Sequence, residues 1–503
     1  MDDETRRFLT TFRTFMNEVV QQVRDESGDT AEPLLPVLRA HLGVEPRSLP
    51  VVTEQLSPLR FADADVALEV LARRHGGRQL VGVGGGMQRR HSGLAEIVEN
   101  AGIHRMFPVG PVDYARVPTG PDSSRQVVSF GLHLLSYDGV PVVVLQRDAQ
   151  PQFGRELPEL EVLAAADTVV PPLLDEVRRL MAEHSVLRGQ VVTFASAEFG
   201  ASNGSVTFLR RPGLSAGDVV LPDGVLAKVE RHLTGVARHR EALSTAGQHL
   251  KRGILLFGPP GTGKTHTVRY LMSVSPGTTV IVLSGHALRL IQVAAQTARA
   301  LEPAVVVLED CDLIAEDRSY SAGPQPLLFE VLDALDGLAD DADVAFVLTT
   351  NHVDLLEPAL AQRPGRVDLA VEIPLPDVAA RRRLNRLYAR DLPFAPSSLD
   401  AAAERSEGTT ASFAKELMRR AVLTAADAGH PPGDADLAAA LDELLGDTEA
   451  LTRSLLGSGA DDAAGDGGQG DDGIGPGRAR RSGEPRPGLA PPGAGRGSYR
   501  PLP

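Results

Sequence analysis

The stretch "GILLFGPPGTGKTHT", residues 253–267, constrains this chain more than any other. It matches G-x-x-x-x-G-K-[ST] between an apolar strand and a helix-forming run, the context that gives the pattern physical meaning. Gly258, Gly261 and Gly263 let the backbone curl so that successive N–H groups face phosphate oxygens. The helix that follows adds its positive N-terminal end. The whole loop, Gly258, Pro259, Pro260, Gly261, Thr262, Gly263, Lys264 and Thr265 with His266 behind it, is therefore a candidate phosphate cradle. Lys264 is placed to reach the β- and γ-phosphates, and Thr265 to set its hydroxyl on Mg²⁺.

Around this loop the pattern alternates short apolar strands, at 253–257, 279–283, 304–309, 344–349 and 369–373, with helical segments. That alternation predicts an α/β fold with a parallel sheet covered on both faces. Residues 377–447 are wholly helical in pattern. Upstream, 1–25, 33–43 and 61–77 read as amphipathic helices, and 126–147 as a hairpin turning at Asp138-Gly139. Residues 156–184 show helical periodicity interrupted by Pro171-Pro172, 189–212 read as strands, and 223–235 as a helix. The expected division is an α+β N-terminal domain (1–185), a β-rich connector (186–214), a large α/β domain (215–376), an all-α lid (377–447) and a disordered Gly/Pro-rich tail (448–503). The N-terminal domain is the expected site of substrate or partner recognition.

Composition narrows the function classes. A net charge of −15, with aromatics at 4% and no Trp, argues against a nucleic-acid partner, because phosphate backbones and bases favour basic, aromatic surfaces. One cysteine, Cys311, excludes an intrachain disulfide and a cysteine-ligated zinc cluster. No run approaches the ~18 apolar residues of a spanning helix, and the acidic start "MDDETRRFLTTF" has no signal-peptide core, so a cytoplasmic protein without membrane partners is expected. A second glycine cluster, "VGVGGGMQRRH" (81–91), lacks dinucleotide-binding spacing and reads as a flexible loop.

Further along, "VVVLEDCD" (305–312) runs four apolar residues into carboxylates. Glu309 is placed for the Mg²⁺ shell and Asp310 for the attacking water, although the two roles are exchangeable at this stage. Asp312 reads as a helix cap. In "AFVLTTNHVDLLEPALAQRPGRVDLAVEIPLP" (345–376), a strand ends in Thr349-Thr350-Asn351, polar groups suited to sensing a γ-phosphate or holding the water. Arg363 and Arg366 follow, guanidinium groups of the kind that stabilise transition-state charge.

Taken in order, "GPPGTGKT", "VVVLEDCD", "TTN", "LEPALAQRPGRVD" and "EGTTASFAKELMRRA" (407–421) resemble an AAA-family ATPase over about 215–447. The resemblance implies a P-loop NTPase domain with a helical lid, ATP and Mg²⁺ as ligands, and a homo-oligomeric ring, typically of six subunits. It implies further that Asn351 is the first sensor and that Arg363 and Arg366 are fingers acting on a neighbour's nucleotide. Gly408, Thr410 and Ala411 would lie near adenine and ribose, with Asp218 and Val219 in a linker touching adenine. The acid order Glu-Asp, with "TTNH" and "RPGRVD", is similar to the branch of mitochondrial AAA ATPases that translocate a folded Rieske subunit, whose N-terminal membrane helix has no counterpart here. Threading members carry an aromatic pore loop, whereas 283–310 holds no Tyr, Phe or Trp; His286, Leu288 and Leu290 are the available substitutes. The ending "SYRPLP" also departs from the hydrophobic-Tyr-any terminus that docks proteasomal ATPases. The leading expectation is an ATP-driven machine that remodels or chaperones a protein client. The alternatives are a nucleic-acid motor or loader and a slow nucleotide-gated scaffold.

Overall fold

The computed structural model describes residues 32–103, 106–195, 205–312, 341–354 and 367–446, with a few isolated positions near the N-terminus and at 337 and 339. Most of the helix expected over 1–25, and the tail, lie outside them.

Two sheets organise the chain. The N-terminal sheet contains β1 (Val52–Gln55), β2 (Arg78–Val83), β3 (Val109–Gly110), β4 (Asp113–Gly120), β5 (Ser123–Tyr137), β6 (Val140–Arg147) and β7 (Glu159–Ala164). Its order is β1-β7-β6-β5-β2-β3, with β4 on β5, and every pairing is antiparallel. Alternation along β6 sends Val142 and Val144 to one face and Val143 and Leu145 to the other. Helices Phe61–Arg74 and Val170–Glu183 cover the first face, and Leu34–Leu42 and Leu94–Ile103 the second. The hairpin turn lies at Asp138 (φ 48°) and Gly139 (φ 79°).

Three features depart from the sequence reading. Residues 159–164 are a strand, and Pro171-Pro172 open the following helix, where the lost N–H would have no partner anyway. Strands β1 to β4 were not anticipated. The glycine cluster ends β2 and is held by Arg89 and Arg90, which both pair with Asp113.

The second sheet contains β8 (Val191–Ala195), β9 (Ser205–Leu209), β10 (Arg252–Phe257), β11 (Thr279–Ser284), β12 (Ala304–Glu309), β13 (Val344–Thr350) and β14 (Leu369–Glu372). Its order is β14-β10-β13-β12-β11-β8-β9, parallel throughout except for β9. The five strands expected from 250 onward occur with bounds within about one residue. The stretch expected as a connector supplies β8, which pairs onto β11, and β9, which pairs onto β8, and both extend this sheet. Val306 and Leu308 of β12 pack under helix Ile291–Ala300, while Val305 and Val307 pack under helices Val225–Arg238 and Lys264–Ser273. Four further helices, Val378–Tyr388, Pro396–Arg405, Ala411–Asp427 and Asp434–Leu445, enclose a separate core around Phe413, Leu417 and Leu441. The α/β class with a helical C-terminal part and an α+β N-terminal region is therefore observed. No helix among the described residues is long and apolar enough to cross a membrane.

Candidate active site

The loops at the carboxyl ends of β10, β12 and β13 meet, as open parallel sheets favour for ligand sites. After β10 the chain turns at Gly258 (φ 140°), Gly261 (φ 76°) and Gly263 (φ 114°). A Cβ at Gly258 would stand 2.2 Å from the carbonyl oxygen of Ile373, so no other residue fits there without moving the backbone after β14. Thr262 Oγ1 donates to the Pro259 carbonyl at 2.9 Å, tightening the loop. Helix Lys264–Ser273 begins directly behind it.

Lys264 is buried, and its ammonium donates to the carbonyls of Gly258 (2.7 Å) and Pro259 (2.8 Å). Burial pulls its pKa down to about 8, against the opposing charges of Asp310 and Asp312. A cation this poorly hydrated gains strongly from an anionic partner. Glu309, half-buried at the end of β12, accepts a hydrogen bond from the Thr265 hydroxyl. Burial and then the Asp310 charge raise its pKa, with Arg269 and Thr265 opposing. Asp310 is also raised, by burial and then Asp312, with Lys264 opposing. Three acids and one lysine thus share a partly desolvated corner, where a bound cation would relieve the mutual repulsion.

Asn351 follows β13 and donates from Nδ2 to Asp312 Oδ2 at 3.2 Å. Asp312 therefore faces the end of β13; the residues it would cap lie outside the described ones. Arg363 and Arg366 lie outside the described residues.

The helical domain closes over the loop: the N–H of Ser412 donates to the Gly261 carbonyl at 3.1 Å. Gly408 (φ 74°) precedes Thr410, which caps helix Ala411–Asp427 by accepting from the Phe413 N–H. On the linker, the Asp218 carboxylate accepts from Arg390 (2.8 Å) and from the N–H of Ser215 (2.8 Å), which hold its pKa well below the carboxylate range. The Asp218 carbonyl accepts from His266 Nε2 at 2.8 Å, and neighbouring Val219 is buried in the sheet core. Sequence reasoning missed an apolar cluster in which Val220 and Tyr388 pack against Leu384, Ala411 and Ala414. Leu384 and Tyr388 are four residues apart on one helix, a spacing equally typical of plain core packing. A cavity of about 430 Å³ reaches from Thr262 to Val220 and Leu384, and one of about 370 Å³ lies beside Thr265 and Glu309.

Residues 254–375 match the family model "ATPase family associated with various cellular activities (AAA)". The chain carries an AAA ATPase domain. Over 269 residues it is 34% identical to the ATP-dependent zinc metalloprotease FtsH 3 of Sphaerobacter thermophilus, covering 50% of this chain and 54% of that protein. It is 31% identical over 203 residues to the 26S proteasome regulatory subunit 8 homolog of Schizosaccharomyces pombe, covering 37% and 50%. A third similarity, 26% over 261 residues, is to the proteasome-activating nucleotidase of Thermococcus onnurineus, covering 49% and 65%. The chain thus spans about half the length of the first two of these relatives.

The matched family is one of ATPases, and the residues at this site suit ATP with Mg²⁺. Among the described residues no group of three or more His, Cys, Asp or Glu could hold a metal by itself. Thr265 and Glu309 offer one hydroxyl and one carboxylate, a sparse oxygen set of the sort Mg²⁺ completes with water and phosphate.

Proposed function

We propose that this protein is an ATP-hydrolysing AAA ring ATPase that remodels or chaperones protein substrates in the cytoplasm. The observation that carries the reading is the convergence of Lys264, the Thr265–Glu309 pair, Asp310 and Asn351 at adjoining strand ends, beneath a lid that bonds the loop. Loop N–H groups and Lys264 bind the phosphates. Thr265 and Glu309 would hold Mg²⁺, which when bound would neutralise charge on the phosphoryl oxygens. Asp310 and Asn351 orient the attacking water. The base enters the cavity lined by Val220 and Leu384, near Asp218, Gly408 and Thr410.

Arg363 and Arg366 act from the neighbouring subunit of a hexameric homo-oligomer. Relatives named as a metalloprotease, a proteasome subunit and a proteasome-activating nucleotidase support a protein client over a nucleic-acid track, as does the net charge of −15. Leu288 is buried in the sheet core and cannot grip a chain, whereas His286 is exposed. The missing pore aromatic and the Glu-Asp order, shared in style with the Rieske-translocating branch, favour handling of folded clients by the domain at 1–185.

ATPase activity measured in parallel with a denatured protein, a folded protein and DNA tests this reading. Stimulation by a folded protein is expected; stimulation by DNA alone would replace the remodelling role with a nucleic-acid motor. Asp310→Asn is expected to trap bound ATP, and unchanged turnover would move the water-positioning role to Glu309.

A further inference from the structure

The strand ends at the site are laced together by residues to which the proposed chemistry assigns no part. Beyond Glu309, Asp310 takes a φ of 52°, in the left-handed region. The other described non-glycine residue with a positive φ is Asp138, in the hairpin turn. Asp adopts this conformation more readily than Glu, because its short polar side chain bonds locally. The inverted acid order and the unusual backbone therefore belong together: the shorter acid stands where the chain turns left-handed.

That turn is held from β13. Thr349 Oγ1 accepts from the Asp310 N–H at 3.0 Å, and the Thr349 carbonyl accepts from the Cys311 N–H at 2.9 Å. Asp312 returns the contact: its Oδ1 accepts from the Thr350 hydroxyl (3.1 Å) and the Asn351 N–H (3.2 Å), while its Oδ2 accepts from Asn351 Nδ2. Thr349 and Thr350 are fully buried and Asp312 nearly so. An ionised carboxylate can only accept, so the amide nitrogen of Asn351 must face Asp312 and the amide oxygen turns away from it.

We propose that Thr349 and Asp312 are positioning residues for hydrolysis. Thr349 fixes the left-handed turn that aims the short Asp310 carboxylate, and Asp312 fixes the Asn351 amide with its oxygen available to accept from the attacking water. The inference rests on the ATPase reading above. Because both residues act through Asp310 and Asn351 and not on the nucleotide, they govern turnover and leave nucleotide affinity alone.

The test measures kcat, KM for ATP and affinity for a fluorescent ADP on the full chain and four variants. Thr349→Val and Asp312→Asn each remove a needed hydrogen-bonding group, which predicts about a tenfold or larger loss of kcat with KM and ADP affinity within about threefold. Thr349→Ser keeps the hydroxyl and is expected to retain most of the activity. Asp310→Glu puts a longer side chain on a left-handed position and is expected to lower kcat rather than raise it. Wild-type kcat in Thr349→Val, an equal fall in Thr349→Ser, or wild-type kcat in Asp310→Glu overturns the proposal. So does a joint loss of kcat and ADP affinity, which marks a folding role. Absence of turnover in the unsubstituted chain overturns the ATPase reading and this inference with it.

Discussion

His133 sits on β5, wholly buried, and its Nδ1 lies 3.0 Å from the Arg78 guanidinium. Arginine can only donate, so Nδ1 must accept and the ring proton resides on Nε2. Burial, followed by the charge of Arg78, pushes the pKa of His133 down to about 3. The unfolded chain titrates near ~6.5. Between those values the unfolded state takes up a proton that the folded state refuses. The stability held by neutral His133 is thus complete above about pH 6.5 and is lost progressively as pH falls toward about 3. At about 1.4 kcal/mol per unit, lowering pH from 7 to 5 removes about 2 kcal/mol, or about 25-fold in the opening equilibrium. Hydrogen exchange of peptides spanning β5 and β6, corrected for intrinsic rates, reads that opening directly. His133→Gln retains an acceptor for Arg78 without titrating, so its opening free energy should fall less between the two pH values by about that amount. An equal fall in variant and wild type would refute the reasoning.

Lys264→Ala should weaken nucleotide binding by about 100-fold or more in calorimetry, since it removes the one side-chain cation that the loop presents; wild-type affinity would remove the phosphate-loop assignment. Asp343→Ala leaves buried Arg252 without the carboxylate 2.9 Å away and should cost about 3–5 kcal/mol, seen as a clear drop in thermal midpoint. Gly258→Ala must displace the backbone at Ile373 and should abolish ATPase activity, with loss of ADP binding as the check. Mixing Arg363→Ala subunits with Lys264→Ala subunits should restore part of the activity if the arginine acts in trans. No rescue in rings verified as mixed would argue against that placement.

The sequence disclosed those elements whose neighbours are dictated locally. β10, β12 and β13 are buried on both faces and therefore read as apolar runs, the latter two ending at polar residues. β1 (VTEQ) and the alternating β4 are largely exposed or half-buried, so their composition resembles loop. β7 misled in a different way. Its Glu159 and Glu161 are buried and both pair with Arg147, so charged residues at alternate positions imitated the polar face of a helix. β8 and β9 were visible as strands, but the attachment of β8 to β11 depends on a partner some ninety residues away, as in Val191 opposite Val280. No local pattern encodes that choice.

At the site the same distinction separates residue identity from residue pose. The motif spacings named Lys264, Thr265, Glu309, Asp310 and Asn351, because phosphate and Mg²⁺ chemistry admits few residue types. They left Asp310 looking deficient by one methylene. What the proposal above invokes instead is a backbone dihedral, bonded by a threonine hydroxyl on the next strand, and neither is written in the VVVLEDCD segment itself. Asp312 shows the same dependence: beside its sequence neighbours it reads as a cap, and only the pairing of β12 with β13 turns its carboxylate onto Asn351. Leu384 and Tyr388 complete the pattern, since an apolar pair on a helix joins a cluster beside the candidate site only when the helical segment brings it against Val220. Candidate catalytic groups can therefore be proposed from sequence where chemistry restricts the residue type. The residues that aim them cannot, because threonine, aspartate and leucine serve many purposes and acquire this one through non-local packing.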